Sequence, residues 1–410
     1  MDFKRLTLTA SASLIAIIAT ACGGTNTASN SPATATVPSD LSISQFNVNF
    51  TYMPNLKGLV SAGSGMVGVI LPDTTSSARY VAFDLPYLTK AFQMAGYAAN
   101  QFKIDNAQGQ EQQELSLAQA DITAGATVLI MDPLNSNIGS QIQAYAQQHG
   151  VKVISYDRAT FTGTSTYYVS YDNVQVGKHI GQGFLDCVTA WGVKNPQVFT
   201  LDGGENSDPN AISFAQGYNQ VVWGNTTTPE PVGKTNNGFT VVGDKVATDW
   251  VAATGQAIFQ AQFAAHPTIN ATIEANDTLA NAVITVLKSK NVKAKSIPTT
   301  GQDASLDGMV NVLTDYQCGS VYKAVYLEAQ DAVALATVLR ANATPPTALV
   351  NATTTPPTGV TGSPQPASLL PSVWVTKANM ESTVIADKFI DVTALCSKAG
   401  AAVCTANGIS

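Results

Sequence analysis

The stretch ATIEANDTLANAVITVLKS, residues 271–289, holds one complete unit of the fold. Ala271 to Glu274 is an apolar run of strand length, Ala275-Asn276-Asp277-Thr278 is a polar strand end, and Thr278 to Ser289 is an amphipathic stretch of helical length. Strand and helix in this alternation are the signature of βαβ units and a parallel sheet. Outward from this unit the same pattern repeats along the chain from Met66. Candidate strands are Met66 to Leu71, Thr127 to Met131, Val151 to Ser155, Gln197 to Leu201, Phe239 to Val242, Ala271 to Glu274 and Ser296 to Thr300. Between them lie candidate helices at Tyr80 to Ala95, Gln110 to Ile122, Ile138 to His149, Val174 to Ala190, Ala211 to Val222, Trp250 to Ala264, Thr278 to Ser289 and Ala324 to Leu339. These are too many units for one small sheet, so two similar α/β lobes are the economical solution. NATPPTALVNATTTPPTGVTGSPQP (342–366) interrupts the rhythm and predicts an exposed loop with at most one short strand near Leu349 to Asn351. The apolar run Val373 to Val375 then returns the chain to the fold.

With 410 residues, the chain is long enough for two or three domains. Charged residues reach only 12%, against an ordinary share of about 25%. Polarity is carried instead by Thr, Ser, Asn and Gln. The net charge is -7, and residues 1–21, with Asp2, Lys4 and Arg5, account for +1 of it, leaving -8 on the remainder. A nucleic-acid binder needs a basic footprint, which this chain lacks. His149, His179 and His266 are far apart and the five cysteines show no metal-ligand spacing, so no metal and no cofactor is expected.

Lys4 and Arg5 precede the apolar run Leu14 to Ala19, and small residues lead to Cys22, the layout of a bacterial secretory signal. The run is too short for an ordinary membrane span. Ala19-Thr20-Ala21-Cys22 resembles the lipobox of bacterial lipoproteins, with Ala19 in place of the usual Leu, which implies acylation of Cys22. Simple cleavage to a soluble product is the alternative, and either route places the mature protein outside the cytoplasm. Gly23 to Ser44 has no hydrophobic periodicity and reads as a disordered tether. The other four cysteines then sit in an oxidising compartment. Cys396 and Cys404 are close enough for a local bridge, leaving Cys187 and Cys318 as a long-range pair, although four cysteines allow three connectivities.

In open α/β sheets, ligands bind beyond the carboxyl ends of the strands. Six candidate strands end in polar clusters: PDTTSSAR (72–79), DPLNS (132–136), YDR (156–158), DGGENSDPN (202–210), ANDT (275–278) and GQD (301–303). Asp, Asn, Ser and Thr in such places also cap the following helix, and that explanation covers Asp172, Asn173, Asp277 and Thr278. Arg79 and Arg158 are different, because an arginine at a strand end neither caps a helix nor fills a core. Its fork of donors facing carboxylates and amides suits a polyhydroxylated ligand. Tyr80, Tyr156, Trp250 and Tyr322 stand next to these clusters, and aromatic planes suit the apolar faces of sugar rings, although core packing is the commoner explanation for any one of them.

VISYDR (153–158), YYVSYDNVQVG (167–177), ANDTLANAV (275–283), TGQDASLDG (300–308), VYKA (321–324) and VTKANMESTVIADKF (375–389) occur in an order and spacing that resemble the solute-binding proteins of sugar ABC transporters. Within that family the resemblance is to the D-xylose-binding group, a type I periplasmic binding protein branch, and the C-terminal Cys396 and Cys404 look like its actinobacterial lipoproteins. The resemblance implies two Rossmann-like lobes joined by three crossovers and closing on a monosaccharide. It implies ligand contacts at Arg79, Tyr80, Asp157, Arg158, Asp208, Asn210, Trp250, Asn276, Asp303 and Lys323. Tyr80 departs from the usual Trp and Ala324 from the usual Pro, which bears on the identity of the sugar. The expected boundaries are 1–21 leader, 22–45 tether, 46–171 with 322–350 as the first lobe, 172–321 with 351–395 as the second, and 396–410 as a tail.

The function expected is a lipid-anchored, monomeric receptor that is not an enzyme and delivers its sugar to an ABC permease. Three other readings stay open: a sugar sensor for a signalling partner, a secreted glycosidase using Asp157 and Asp303, and a regulator, for which a helix-turn-helix would have to precede the first lobe.

Overall fold

The computed structural model describes residues 36–163, 165–204 and 208–409. The leader, Cys22 and the tether up to residue 35 lie outside the described residues. The first lobe is built on strands β1 (Met66–Leu71), β2 (Phe102–Asn106), β3 (Ala126–Met131), β4 (Lys152–Tyr156) and β5 (Thr166–Tyr171). Helices α2 (Leu85–Ala95), α3 (Glu111–Thr123) and α4 (Ser136–Gln148) connect them, after a short α1 (Lys57–Ala62). The second lobe holds α5 (Asn173–Ala190), β6 (Gln197–Gly203), α6 (Pro209–Trp223), β7 (Thr235–Asn236), β8 (Phe239–Ala247), α7 (Ala252–Ala265), β9 (Ala271–Glu274), α8 (Asp277–Ser289), α9 (Leu306–Leu313) and β10 (Ser320–Lys323). The chain continues through α10 (Val325–Arg340), β11 (Ala352–Thr354), β12 (Gln365–Leu370), β13 (Ser372–Val375), α11 (Val392–Ala399) and α12 (Ala401–Ala406).

Strands such as β1, MVGVIL, are buried almost throughout, as a parallel sheet covered by helices on both faces requires. The first sheet runs β11-β12-β5-β4-β3-β1-β2, and the second runs β7-β8-β6-β9. β10 and β13 form a separate antiparallel pair. The chain passes between lobes three times, at Asp172, Ala324 and Pro371, where strand or helix of one lobe meets the next element of the other. In the second lobe α5 and α6 lie almost in backbone contact: a Cβ on Gly177 would stand 2.1 Å from the Phe214 carbonyl oxygen.

Several expected boundaries are corrected. Residues 352–354 and 365–370, assigned to the second lobe, extend the first sheet, because β12 pairs in parallel with β5. The short strand of the Pro/Thr-rich segment is Ala352–Thr354 rather than 349–351. Tyr322 and Lys323 stay with the second lobe on β10. The tether ends earlier than Ser44: Leu41 is fully buried and Tyr52 Oη donates to Asp40 at 2.7 Å. Residues 396–409 are not a loose tail. Leu395, Cys404 and Ile409 are buried with Met309, Val312 and Leu313 of α9, and Cys396–Cys404 staples α11 to α12. Cys187–Cys318 ties α5 to the segment before β10.

Residues 296–300 form no strand, and the chain bends at Ser296 and Ile297. Pro298 has no N–H to give, and Thr300 N donates to the Glu274 carboxylate at 2.8 Å while Glu274 N donates to Thr300 Oγ1 at 2.8 Å. Thr272 N still donates to the Pro298 carbonyl at 2.9 Å, so backbone and side-chain bonds share this edge of β9.

The last segment crosses the hinge. Asp387 Oδ2 accepts from Tyr322 Oη at 3.0 Å and Tyr326 Oη at 2.9 Å, one residue on each side of the crossover at Ala324. Phe389 stacks on Phe83 of the first lobe with ring centroids 3.8 Å apart and meets Tyr322 of the second at 4.8 Å.

Burial pushes the Glu274 carboxyl up to about 8. A carboxyl raised above its unfolded value stabilises the fold in its protonated form, fully below about 4.5 and progressively less as pH rises through 8. Glu114 and Asp331 are raised to about 8 by burial in the same way. The melting temperature is therefore expected to fall between pH 5 and pH 9, and Glu274→Gln to lose less over that span than the wild type. Parallel melting curves for the two proteins would refute this assignment.

Candidate functional site

The loop after β1 is shaped by Asp73, whose Oδ1 accepts from Thr75 N and Ser76 N at 2.7 Å each and whose Oδ2 accepts from Ser76 Oγ at 2.6 Å. This turn presents Ser76, Ser77 and Arg79 to the space between the lobes. Asp157 and Arg158 follow β4, Asp208 and Asn210 open α6, Asn276 precedes α8, Asp303 follows the extended segment, and Lys323 ends β10. Trp250 comes from the turn before α7, where Gly203 leaves room for its ring; a Cβ there would lie 1.9 Å from a ring carbon. All ten residues expected at the cleft line one narrow cavity of about 30 Å³, together with Ser76, Ser77, Phe214 and Gln302.

The ten do not share one task. Arg79 is buried and makes four hydrogen bonds: Nε to Asp84 Oδ2 at 2.9 Å, Nη2 to Asp84 Oδ1 at 2.8 Å, Nη1 to Asp157 Oδ1 at 2.8 Å and Nη2 to Glu328 Oε2 at 2.6 Å. Burial opposes its charge, and Asp157, Asp84 and Glu328 outweigh that and raise its pKa further. Asp157 is equally committed, since its Oδ2 accepts from Tyr80 Oη at 3.0 Å and Lys323 Nζ stands 3.8 Å from Oδ1. Burial works against the Asp157 charge, but Arg79, Lys323 and Arg158 prevail and hold the carboxyl down at about 2. Asn210 clasps the lobes: its Nδ2 donates to the Asp157 carbonyl at 2.7 Å and its Oδ1 accepts from Ala159 N at 3.4 Å.

Arg158 keeps its donors nearly free, with contacts of 3.3 Å each to the Pro133 carbonyl and Ser76 Oγ and its guanidinium 5.5 Å from the Tyr80 ring centre. Asp208 and Asn276 are helix caps, as the turn-former explanation holds: Asp208 Oδ1 accepts from Asn210 N and Ala211 N, and Asn276 Oδ1 accepts from Leu279 N. They line the cavity nonetheless. Asp208 Oδ2 also accepts from Trp250 Nε1 at 3.2 Å, and no hydrogen bond engages Asn276 Nδ2 among the described residues. Among the described residues buried Gln302 Oε1 has no hydrogen-bond partner, and Asp303 Oδ1 makes none but pairs with Lys323 Nζ at 3.2 Å. Asp157, Trp250 and Asp303 all hold left-handed backbone, with φ of 58°, 60° and 88°. Such strain is concentrated at binding sites in proteins generally.

Sequence reasoning missed four lining residues. Ser76, Ser77 and Gln302 lie inside quoted clusters and were open to the same argument as their neighbours. Phe214 sits one turn into α6 and gave no signal apart from ordinary apolar spacing. Asp84 and Glu328, which hold Arg79, lie in helical segments where acids ordinarily face water. Among the described residues no group of three or more His, Cys, Asp and Glu side chains is arranged to hold a metal ion.

Two α/β lobes on a three-strand hinge, with a polar cavity fed by both, define a two-lobed binding protein. The chain belongs to the periplasmic binding protein family, since residues 51–343 match the profile of the periplasmic binding protein domain. It is 29% identical over 288 residues to the D-xylose-binding periplasmic protein of Escherichia coli (strain K12), covering 70% of this chain and 80% of that one. It is 28% identical over 334 residues to the multiple sugar-binding periplasmic receptor ChvE of Rhizobium radiobacter, covering 79% and 90%. Among solved structures, a carbohydrate transporter solute binding protein from Chloroflexus aurantiacus in complex with D-glucose superposes with a TM-score of 0.65 at 24% identity, covering 80% of this chain and 97% of that one.

The two arginines should separate experimentally. Arg79→Ala strands three buried carboxylates and is expected to cost about 3–5 kcal/mol of stability, whereas Arg158→Ala, which breaks only longer contacts and one long ion pair with Asp132, is expected to cost less. Equal destabilisation in denaturant titrations would contradict this division.

Proposed function

We propose that this protein is the extracytoplasmic substrate-binding receptor of an ABC-type monosaccharide importer, with a xylose-like aldose as its ligand. The observation that carries the reading is the composition of the cavity: nearly free Arg158 donors, a Gln302 acceptor without a hydrogen bond among the described residues, the Asp303–Lys323 ion pair, and the Phe214 and Trp250 rings, contributed from both lobes. Each sugar hydroxyl both donates and accepts, so it needs charged donors and acceptors within reach of one ring. The sugar's C–H faces suit the aromatic planes. Its relatives named for xylose and for multiple sugars support the same ligand class.

Function follows from closure. Ser77 Oγ of the first lobe donates to Asp303 Oδ2 of the second at 3.1 Å, and Asn210 reaches across to the Asp157 carbonyl. A ligand touching both lobes adds its bonds only to the closed state, and that differential affinity shifts the equilibrium toward the form a permease receives. In the mature protein Cys22 carries the lipid that holds the monomeric receptor at the membrane face. A glycosidase fits less well: Asp157 is engaged by Arg79, Tyr80 and Lys323 and Asp303 by Ser77 and Lys323, which leaves neither carboxylate free to attack or to protonate a sugar.

Titration calorimetry of the purified protein against D-xylose, L-arabinose, D-ribose, D-glucose and D-galactose, with each sugar recovered and checked afterwards, tests the reading. Binding of one aldose at micromolar affinity or better, with the sugar intact, is expected. Arg158→Ala should weaken that binding at least about tenfold, the loss of one charge-assisted hydrogen bond. Turnover of the sugar, or no binding across the panel, would overturn the assignment.

A further inference from the structure

One buried charge beside the site has no work in the arrangement described so far. Asp132, fully buried, follows β3, next to Arg158 at the end of the adjacent strand β4. Neither of its carboxylate oxygens has a hydrogen-bond partner among the described residues. The nearest cation, Arg158 Nε, is 3.8 Å from Oδ1, an ion pair too long to be a hydrogen bond. A buried carboxylate without partners is costly to maintain. The arginine is loose in the same measure, since both of its hydrogen bonds are 3.3 Å long. Arg79, by comparison, is held by bonds of 2.6–2.9 Å. Arg158 lines the cavity and Asp132 stands behind it.

We propose that Asp132 is the positioning residue for Arg158: its carboxylate closes onto the Nε edge of the guanidinium and thereby turns both Nη groups toward the ligand oxygens. The inference rests on the sugar-receptor reading of the cavity. A guanidinium gripped on one edge loses less rotamer freedom when it binds a second group on the other. The groups facing Asp132 come from several elements: Arg158 and Asp157 after β4, and Arg79, Tyr80 and Asp84 from the turn before α2. Glu114 of α3 faces the same arginine. Burial raises the Asp132 pKa, Arg158 and Arg79 oppose it, and Asp157 and Asp84 add to it. A protonated Asp132 cannot grip the arginine. Ligand binding therefore favours the ionised form, releases a proton, and becomes tighter as pH rises through the titration of this group.

The test is a double-mutant cycle read by calorimetry with the aldose that the wild type binds, comparing wild type, Asp132→Asn, Arg158→Ala and the double variant between pH 5 and pH 8. Asp132→Asn is expected to weaken binding about tenfold, to flatten its pH dependence, and to add nothing once Arg158 is gone. Should Asp132→Asn fail to fold, the wild type alone decides: titrations in two buffers of different ionisation enthalpy are expected to show proton release on binding. Wild-type affinity in Asp132→Asn, a full additional loss in the double variant, or no proton release overturns the inference while leaving the receptor intact. Absence of any aldose binding by the wild type overturns both.

Discussion

Arg79 is the interaction on which the first lobe depends. Its guanidinium joins Asp84 at the start of α2, Asp157 at the end of β4 and Glu328 on α10, three elements that would otherwise bring three buried carboxylates together. Tyr156 Oη adds a 2.5 Å bond to Asp84, and Tyr80 Oη adds one to Asp157. Removing charges from water is expensive, and only near-complete hydrogen bonding makes the arrangement tolerable. The node fixes the face of the lobe from which Arg158 and Ser76 look into the cavity. Because α10 enters the lobe straight after a crossover, it also anchors the hinge.

The cavity combines a rigid frame with a few uncommitted atoms. Arg79, Asp157, Asn210 and Asp303 are bound to protein, while Arg158, Asn276 and Gln302 keep groups free to exchange with a ligand. That division makes physical sense: a frame already paired costs no reorganisation on binding, and the free atoms supply the differential affinity that drives closure. Around the hinge, Asp387 and Phe389 touch both sides of the crossover, and the stapled helices α11 and α12 hold their segment against α9. Residues 387–409 are thus packed into the hinge region rather than trailing from it.

The elements legible in the sequence were those with a strong apolar contrast. β1, β3, β4, β6 and β9 are apolar runs cut off by polar clusters, and each stands within one or two residues of its expected place. β2, FKIDN, is mostly half-exposed and lacks that contrast. β12, QPASLL, is low in apolar content and joins the first sheet by lying beside β5, a pairing between residues about two hundred positions apart that no local pattern records. Residues 296–300 have a strand's composition, but Pro298 removes a donor, and one backbone bond from Thr272 plus the Glu274–Thr300 side-chain bonds stand in for a full ladder.

The sequence by itself determined that strand ends carry the polar side chains, because the alternation of apolar runs and turn formers is local chemistry. The resemblance to the sugar-binding family then named ten residues of the cavity lining, most of them at those strand ends. Only the tertiary structure decided what each one does. Whether Arg79 is free for a ligand depends on Asp84 and Glu328, and whether Arg158 is steadied depends on Asp132, all brought close by packing rather than by spacing. Hydrogen bonds are satisfied in three dimensions, so residue type shows what a side chain can bind, and the fold decides which bonds remain for the ligand.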